Sequence, residues 1–148
     1  MSMTEDGQHP NYVGTRTDGT PVNRPLSPHL QAYDMLQMTS ALSIMGRATG
    51  IAWSIGLVFL VWWLTALASG PQAFATVQWF LGSVFGWIVL TGLIVVTWYH
   101  TLGGVRHLVW DAGYGYDIPT TYRSGRMVLI GTAVLSVLTL IILIAAWI

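Results

Sequence analysis

The chain has 148 residues, 53% of them hydrophobic and only 8% charged, with eight tryptophans and no lysine, which is the composition of an integral membrane protein rather than of a soluble domain. A formal net charge of zero gives no signal for nucleic acid. The lack of cysteine excludes disulfides, thiolate metal sites and c-type haem attachment.

Residues 1–23 read as a polar N-terminal tail carrying Glu5 and Asp6 among several Gly and Thr. It has no apolar run of the secretory type, and its acidic start argues against a mitochondrial transit peptide. Residues 24–47 form a lead-in and the start of the first helix. Within it, Arg24-Pro-Leu-Ser-Pro28-His29-Leu carries two prolines, which predict an extended, stiff segment. Such a segment serves either as a docking surface or as a cap on the bundle.

Residues 48–148 are predicted to form a three-helix transmembrane anchor, with spans at about 48–68, 77–105 and 127–148. No Asp, Glu, Lys or Arg stands between Arg47 and Arg106, an interval long enough for two crossings at roughly 20 residues each. The turn between them is predicted at Ala68-Ser-Gly70-Pro71-Gln72. Trp62, Trp63, Trp79, Trp98, Trp110 and Trp147 fall mostly near span ends, as interfacial aromatics do, whereas Trp53 and Trp87 lie deeper and read as packing against neighbours or a cofactor. Arginines 16, 24 and 47 precede the first span, 106, 123 and 126 lie between the second and third, and the first loop has none. The positive-inside rule then puts the N-terminus on the cytoplasmic side. Three helices enclose little core, so a membrane partner is expected.

At the start of the first helix, Ser43 and Arg47 are one turn apart and share a face. A hydroxyl and a guanidinium aimed at one place suit a quinone carbonyl or a haem propionate. The plainer alternative is a positive-inside anchor beside a helix start. At the end of the second span stands His100-Thr-Leu-Gly103-Gly104-Val-Arg106-His107-Leu-Val-Trp-Asp111. Ionisable groups at the end of an apolar span mark a functional site. His100 and His107 are two turns apart, about 10 Å along one face. Glycine costs helix stability, so the pair at Gly103 and Gly104 suggests that a flat, large group such as a porphyrin approaches the backbone there. His100 is deep enough to ligate haem iron, or it is an interior histidine hydrogen-bonded to a neighbouring helix. A single ligand leaves the iron five-coordinate or requires a second histidine from a partner. His107 either lies beside the propionates or pairs with Asp111, and Asp111 is a candidate for proton delivery or a partner for Arg106. The last span carries nothing ionisable after Arg126 and reads as packing.

These segments resemble the succinate dehydrogenase cytochrome b subunit family, the larger of two small membrane anchors of respiratory complex II. Arg-Pro-Leu-Ser-Pro-His-Leu is matched at Arg24 to Leu30, and Ser-Ile-x-x-Arg-x-Thr-Gly at Ser43 to Gly50. His-x-x-x-Gly-x-Arg-His-x-x-x-Asp-x-Gly is matched without a gap from His100 to Gly113. The resemblance implies an all-α membrane protein of three transmembrane helices, packed with a smaller anchor subunit around haem b in a bacterial cytoplasmic membrane. It implies that His100 is an axial ligand of the haem iron, with the second histidine from the smaller anchor, and that Ser43 and Arg47 bind ubiquinone near the iron–sulfur subunit. Arg47 and His107 match positions near the haem propionates, while Arg106, Gly103 and Gly104 are read from the residues themselves as haem contacts, and His107 and Asp111 are candidate proton relays. FAD and iron–sulfur clusters belong to the flavoprotein and iron–sulfur partners, so no catalytic residue for succinate oxidation is expected here. A related quinol–fumarate reductase anchor, or a purely structural anchor without haem, are the alternatives, and a small transporter is disfavoured by the lack of an internal repeat. One departure stands out: many members have histidine where this chain has Gly46.

Overall fold

The computed structural model describes residues 11–25 and 34–147. Two units make up the chain, Met1–Met35 and Leu36–Ile148. In the first, β1 (Asn11–Thr15) pairs antiparallel with β2 (Pro21–Pro25), in a register that sets Tyr12 opposite Arg24 and Thr15 opposite Pro21. The turn is made by Asp18-Gly19. Gly19 takes a positive φ of 83°, and the Asp18 carboxylate accepts from the Thr20 hydroxyl at 2.6 Å and the Thr20 amide at 3.0 Å. These bonds hold the Asp18 carboxyl below its ordinary pKa. The hairpin stands where the sequence predicts only a polar tail. Of the proline-containing lead-in, residues 26–33 lie outside the described part.

The second unit is helical. α1 (Met38–Ser69) and α2 (Pro71–Gly82) meet at Gly70, whose φ of 113° is left-handed territory open to glycine, and Pro71 starts α2 where its missing N–H costs nothing. α3 (Val84–Asp111) begins at Ser83, whose hydroxyl accepts from the Gly86 amide at 3.0 Å. α4 (Ile118–Trp147) follows a short loop. Three helices are long and apolar enough to cross a membrane: Met38–Ser69, Val84–Asp111 and Ile118–Ala146.

The turn at Gly70-Pro71 falls where the sequence predicted it, but the second span does not begin at 77. Residues 71–82 form the separate helix α2, and the crossing starts at Val84. The physical reason is the Ser83 cap: it opens a new helix, while the apolar composition on either side of it does not change. α1 and α4 also overrun the predicted spans at the arginine-bearing end, starting at Met38 and Ile118.

α3 ends in a Schellman motif. The Tyr114 amide donates to the Val109 carbonyl at 3.2 Å and the Gly113 amide to Trp110 at 2.7 Å, with Gly113 at φ 87°. Asp117 then caps α4, taking hydrogen bonds from the Thr120 hydroxyl and the Thr120 amide, which lower its pKa. Where the three long helices meet near this end, Leu42 of α1, Tyr99 of α3 and Val128 of α4 form the buried core, joined by Met38 and Leu102. Two glycines of α4 allow the close approach. A Cβ on Gly125 would stand 2.7 Å from Leu42 Cδ1, and one on Gly131 would stand 2.9 Å from Leu102 Cδ1.

Candidate functional site: a cleft between α1 and α3

Thr39, Leu42, Ser43, Gly46 and Arg47 recur at the three- and four-residue intervals that put side chains on one helical face. On α3 the same holds for Tyr99, His100, Gly103, Gly104, Arg106, His107 and Trp110. The two faces enclose a cleft of about 470 Å³, with Val128 of α4 beside them. Its frame is fixed by the Tyr99 hydroxyl, which is buried and donates to the Leu42 carbonyl at 2.9 Å, tying α3 to α1 one residue before Ser43.

The cleft has two chemically distinct parts. On α1, Ser43 and Arg47 are exposed to it. Thr49, Ser54, Thr65 and Ser69 of the same helix turn their hydroxyls back onto carbonyls one turn earlier. Ser43 does not: among the described residues its hydroxyl and the Arg47 guanidinium have no hydrogen-bond partner, so both are available to a ligand. Gly46 between them has nothing within 4 Å of where a Cβ would stand.

On α3, His100 is exposed on the flank of the bundle rather than hydrogen-bonded within it. One face of its ring is stacked on Trp53 of α1, with centroids 6.1 Å apart and planes 15° from parallel. Its Cε1 edge lies 3.3 Å from the Cβ position of Gly50. Gly103 and Gly104 line the cleft with nothing within 4 Å of either Cβ position, so the glycine pair leaves bare backbone facing open space. Haem fits this arrangement on three grounds: an accessible imidazole, a side-chain-free strip of helix beside it, and cationic side chains toward the end of the span. His100, accessible on the flank of the bundle, is the residue that would hold its iron.

Arg106 is more tightly held than its sequence position suggests. Its Nε donates to the Ser124 hydroxyl at 2.9 Å, one terminal nitrogen donates to the Thr121 carbonyl at 3.0 Å, and its guanidinium lies 4.0 Å over the Trp110 ring. Trp110 is stacked in turn on Tyr116, and its Nε1 donates to the Gly115 carbonyl at 3.2 Å. Arg106 therefore clips α3 to α4 while forming part of the cleft wall. His107 lines the cleft with its ring edge-on to Trp110 at 5.3 Å.

Asp111 is the one predicted site residue the structure leaves out. It is exposed at the last position of α3 and does not line the cleft. Among the described residues it pairs with neither Arg106 nor His107. Tyr99, Trp53 and Gly50 were not assigned site roles from sequence. Trp53 carried a signal in its depth within the span, but Gly50 and Tyr99 acquire meaning only from the helix that they face.

Residues 20–139 match the protein family described as succinate dehydrogenase/fumarate reductase transmembrane subunit. The chain is 48% identical over 120 residues to the succinate dehydrogenase cytochrome b556 subunit of Paracoccus denitrificans, covering 81% of this chain and 92% of that protein. It is 38% identical over 113 residues to the cytochrome b560 subunit of Reclinomonas americana, covering 73% and 78% of the two chains. The human mitochondrial cytochrome b560 subunit is 36% identical over 116 residues, or 77% of this chain and 68% of the human protein.

Proposed function

Since the chain belongs to the succinate dehydrogenase/fumarate reductase transmembrane subunit family, we propose that it is the haem b anchor of a succinate:ubiquinone oxidoreductase and forms part of its quinone site. The observation that carries this reading is the single cleft that unites Ser43, Arg47, His100 and His107 beside the bare backbone of Gly103 and Gly104. A purely structural anchor would need no accessible imidazole and no glycine-lined hollow at its arginine-bearing end.

In this reading ubiquinone is the substrate and takes up two electrons from the iron–sulfur subunit and two protons. Ser43 donates a hydrogen bond to one quinone carbonyl, and Arg47 offers fixed, permanently charged donors to the same oxygen. Negative charge grows on that oxygen during reduction, so these donors bind the reacting state more strongly than the starting quinone. Arg106, fixed through Ser124, Thr121 and Trp110, keeps its charge at the cleft wall without moving as the charge develops. His107 stands within the cleft and can pass a proton inward from the exposed end of α3. Asp111, outside the cleft, serves at most as an outer proton donor to His107 through water.

Haem b, when bound, supplies a one-electron store beside the quinone. His100 would hold its iron, Gly103 and Gly104 would admit its edge, and Arg47 and His107 would face its propionates. A second histidine for the iron would come from a smaller anchor subunit, and the soluble flavoprotein and iron–sulfur subunits would oxidise succinate. The lead-in from Arg24 would dock against the iron–sulfur subunit, and the complex would sit in a bacterial cytoplasmic membrane.

The test is a reduced-minus-oxidised absorption spectrum of the purified complex, wild type beside His100→Ala. A b-type band that the variant loses or shifts is the expected result. An unchanged band in the variant would remove His100 as ligand. No band in the wild type would leave a quinone-binding or structural anchor.

A further inference from the structure

His100 has one ring nitrogen to give to iron and a side chain free to turn about two bonds. A lone imidazole on the flank of a helix would sample several orientations, and an axial ligand that does so holds its metal poorly. One residue of α1 restricts it and another makes room for it. Trp53 covers one face of the ring at 6.1 Å between centroids and 15° between planes. Gly50, one turn earlier on the same face of α1, comes so close that an added Cβ would stand 3.3 Å from Cε1 and 3.8 Å from Nδ1. The imidazole is thus flanked on one face by Trp53 and given room at its edge by the missing side chain of Gly50, while the residue as a whole stays open to the outside.

Trp53 lies outside the buried cluster of Leu42, Tyr99 and Val128. At 38% exposed it is not part of the buried core, and its indole N–H is not tied to any described residue. Among the described residues, its ring stacking is on the histidine. We infer that Trp53 and Gly50 are positioning residues for the haem site: they set the plane of the His100 imidazole and hence its orientation about the axial bond. This rests on His100 being the axial ligand. The indole acts through the imidazole rather than on the iron. A stacked aromatic resists rotation of the ring beneath it, by the same offset-stacking preference that orders aromatic pairs. Gly50 supplies the clearance that lets the ring lie flat against α1.

The proposal is tested on the assembled complex with Trp53→Leu, Trp53→Phe and Gly50→Ala, alongside His100→Ala. The readouts are haem content, the low-spin electron paramagnetic resonance signal of the oxidised haem, which reports axial-ligand orientation, and the haem midpoint potential. Trp53→Leu is expected to broaden or shift the low-field resonance and move the potential. Trp53→Phe, which keeps a flat ring in place, should restore most of the wild-type signal. Gly50→Ala, which crowds the imidazole edge by one methyl, should shift the resonance without the recovery expected of Trp53→Phe. Should Trp53→Leu prevent assembly, the comparison of Trp53→Phe with Gly50→Ala carries the same readout. Haem retained in all three with wild-type resonance and potential, while His100→Ala loses it, would overturn the positioning role and leave the ligand assignment standing. Haem unaffected by His100→Ala would instead remove the assignment on which the role depends.

Discussion

At the scale of single residues, the cleft is made of groups that a membrane helix would not carry without use. Ser43 and Arg47 are both unpartnered among the described residues and lie one turn apart. A hydrogen bond to a developing charge contributes about 1.5–3 kcal/mol. Arg47→Leu is therefore expected to lower kcat/KM for ubiquinone reduction roughly 10- to 100-fold, and Ser43→Ala roughly fivefold from a neutral bond of about 1 kcal/mol. Steady-state quinone reduction in the purified complex decides it, and wild-type kinetics in Arg47→Leu would place the quinone elsewhere. Asp117 makes a separate expectation. Its carboxyl lies below the ordinary 3.8 because the Thr120 hydroxyl and amide bond its charged form. A depressed folded pKa means that the cap stabilises α4 above that value and stops doing so as the pH falls through the folded pKa. The thermal midpoint of wild type should exceed that of Asp117→Asn at neutral pH, and the gap should narrow from about pH 5 to about pH 3; a constant gap would deny the carboxylate its role. Spacing within a helix made Ser43, Arg47, His100, Gly103, Gly104 and His107 legible from sequence, since residues three, four or seven apart share a face whatever the tertiary structure. The pairing of Trp53 and Gly50 with His100 was not legible, because it depends on how α1 is registered against α3. Asp111 lies outside the cleft for a local reason. Four residues past His107 put it on the right face in principle, but it is the last residue of α3 and reaches solvent instead.

At the scale of elements, two glycine positions on α3 separate folding from function. A Cβ on Gly86 would overlap the carbonyl oxygen of Phe80 and come within 2.8 Å of Leu81 Cα, both backbone atoms of α2 that cannot swing aside. Gly103, by contrast, has nothing within 4 Å of its Cβ position. Gly86→Ala is thus expected to cost about 1–3 kcal/mol through overpacking at the α2–α3 junction, visible as poorer assembly or a lower thermal midpoint. Gly103→Ala should assemble normally, since alanine favours helix over glycine, but should lower haem content or alter quinone kinetics by intruding on the cleft. Equal thermal penalties in the two variants would argue that the glycines of α3 serve packing alone. The same junction explains the misplaced second span. Nothing between Gln72 and Val105 is charged, so hydropathy gave no reason to stop at residue 82; only the modest Gly82-Ser83 pair and Gly86 mark where one helix closes and the next is capped. The hairpin is comparably faint in the sequence. Asp18-Gly19 is a recognised hairpin signal, but its strands, Asn11–Thr15 and Pro21–Pro25, lack the alternating apolar pattern that would have made it persuasive.

At the scale of the whole molecule, the chain is a membrane anchor whose apolar surface faces mainly outward. In the most apolar stretches of the three long helices, only 6%, 6% and 17% of the residues are buried within the chain. Lipid can cover such surface, and membership of a succinate dehydrogenase/fumarate reductase subunit family implies the other subunits of that complex as partners. The direction of the chain then fixes what each side of the membrane meets. Arg47, Arg106, Arg123 and Arg126 belong to the end of the bundle where α1 starts, α3 finishes and α4 starts. The connection at Gly70 and the whole of α2 carry no charge. Positive charge is retained on the cytoplasmic side, so the cleft should open toward the cytoplasm, the side from which soluble partners can deliver electrons. Because the sequence contains no cysteine, single introduced thiols report orientation without background. Gln72→Cys, at the exposed start of α2, should react with a membrane-impermeant maleimide in intact spheroplasts. Tyr114→Cys, 71% exposed in the loop between α3 and α4, should react only after the membrane is opened. The reverse pattern would put the cleft on the outer face, where neither the arginine distribution nor a cytoplasmic electron donor could account for it.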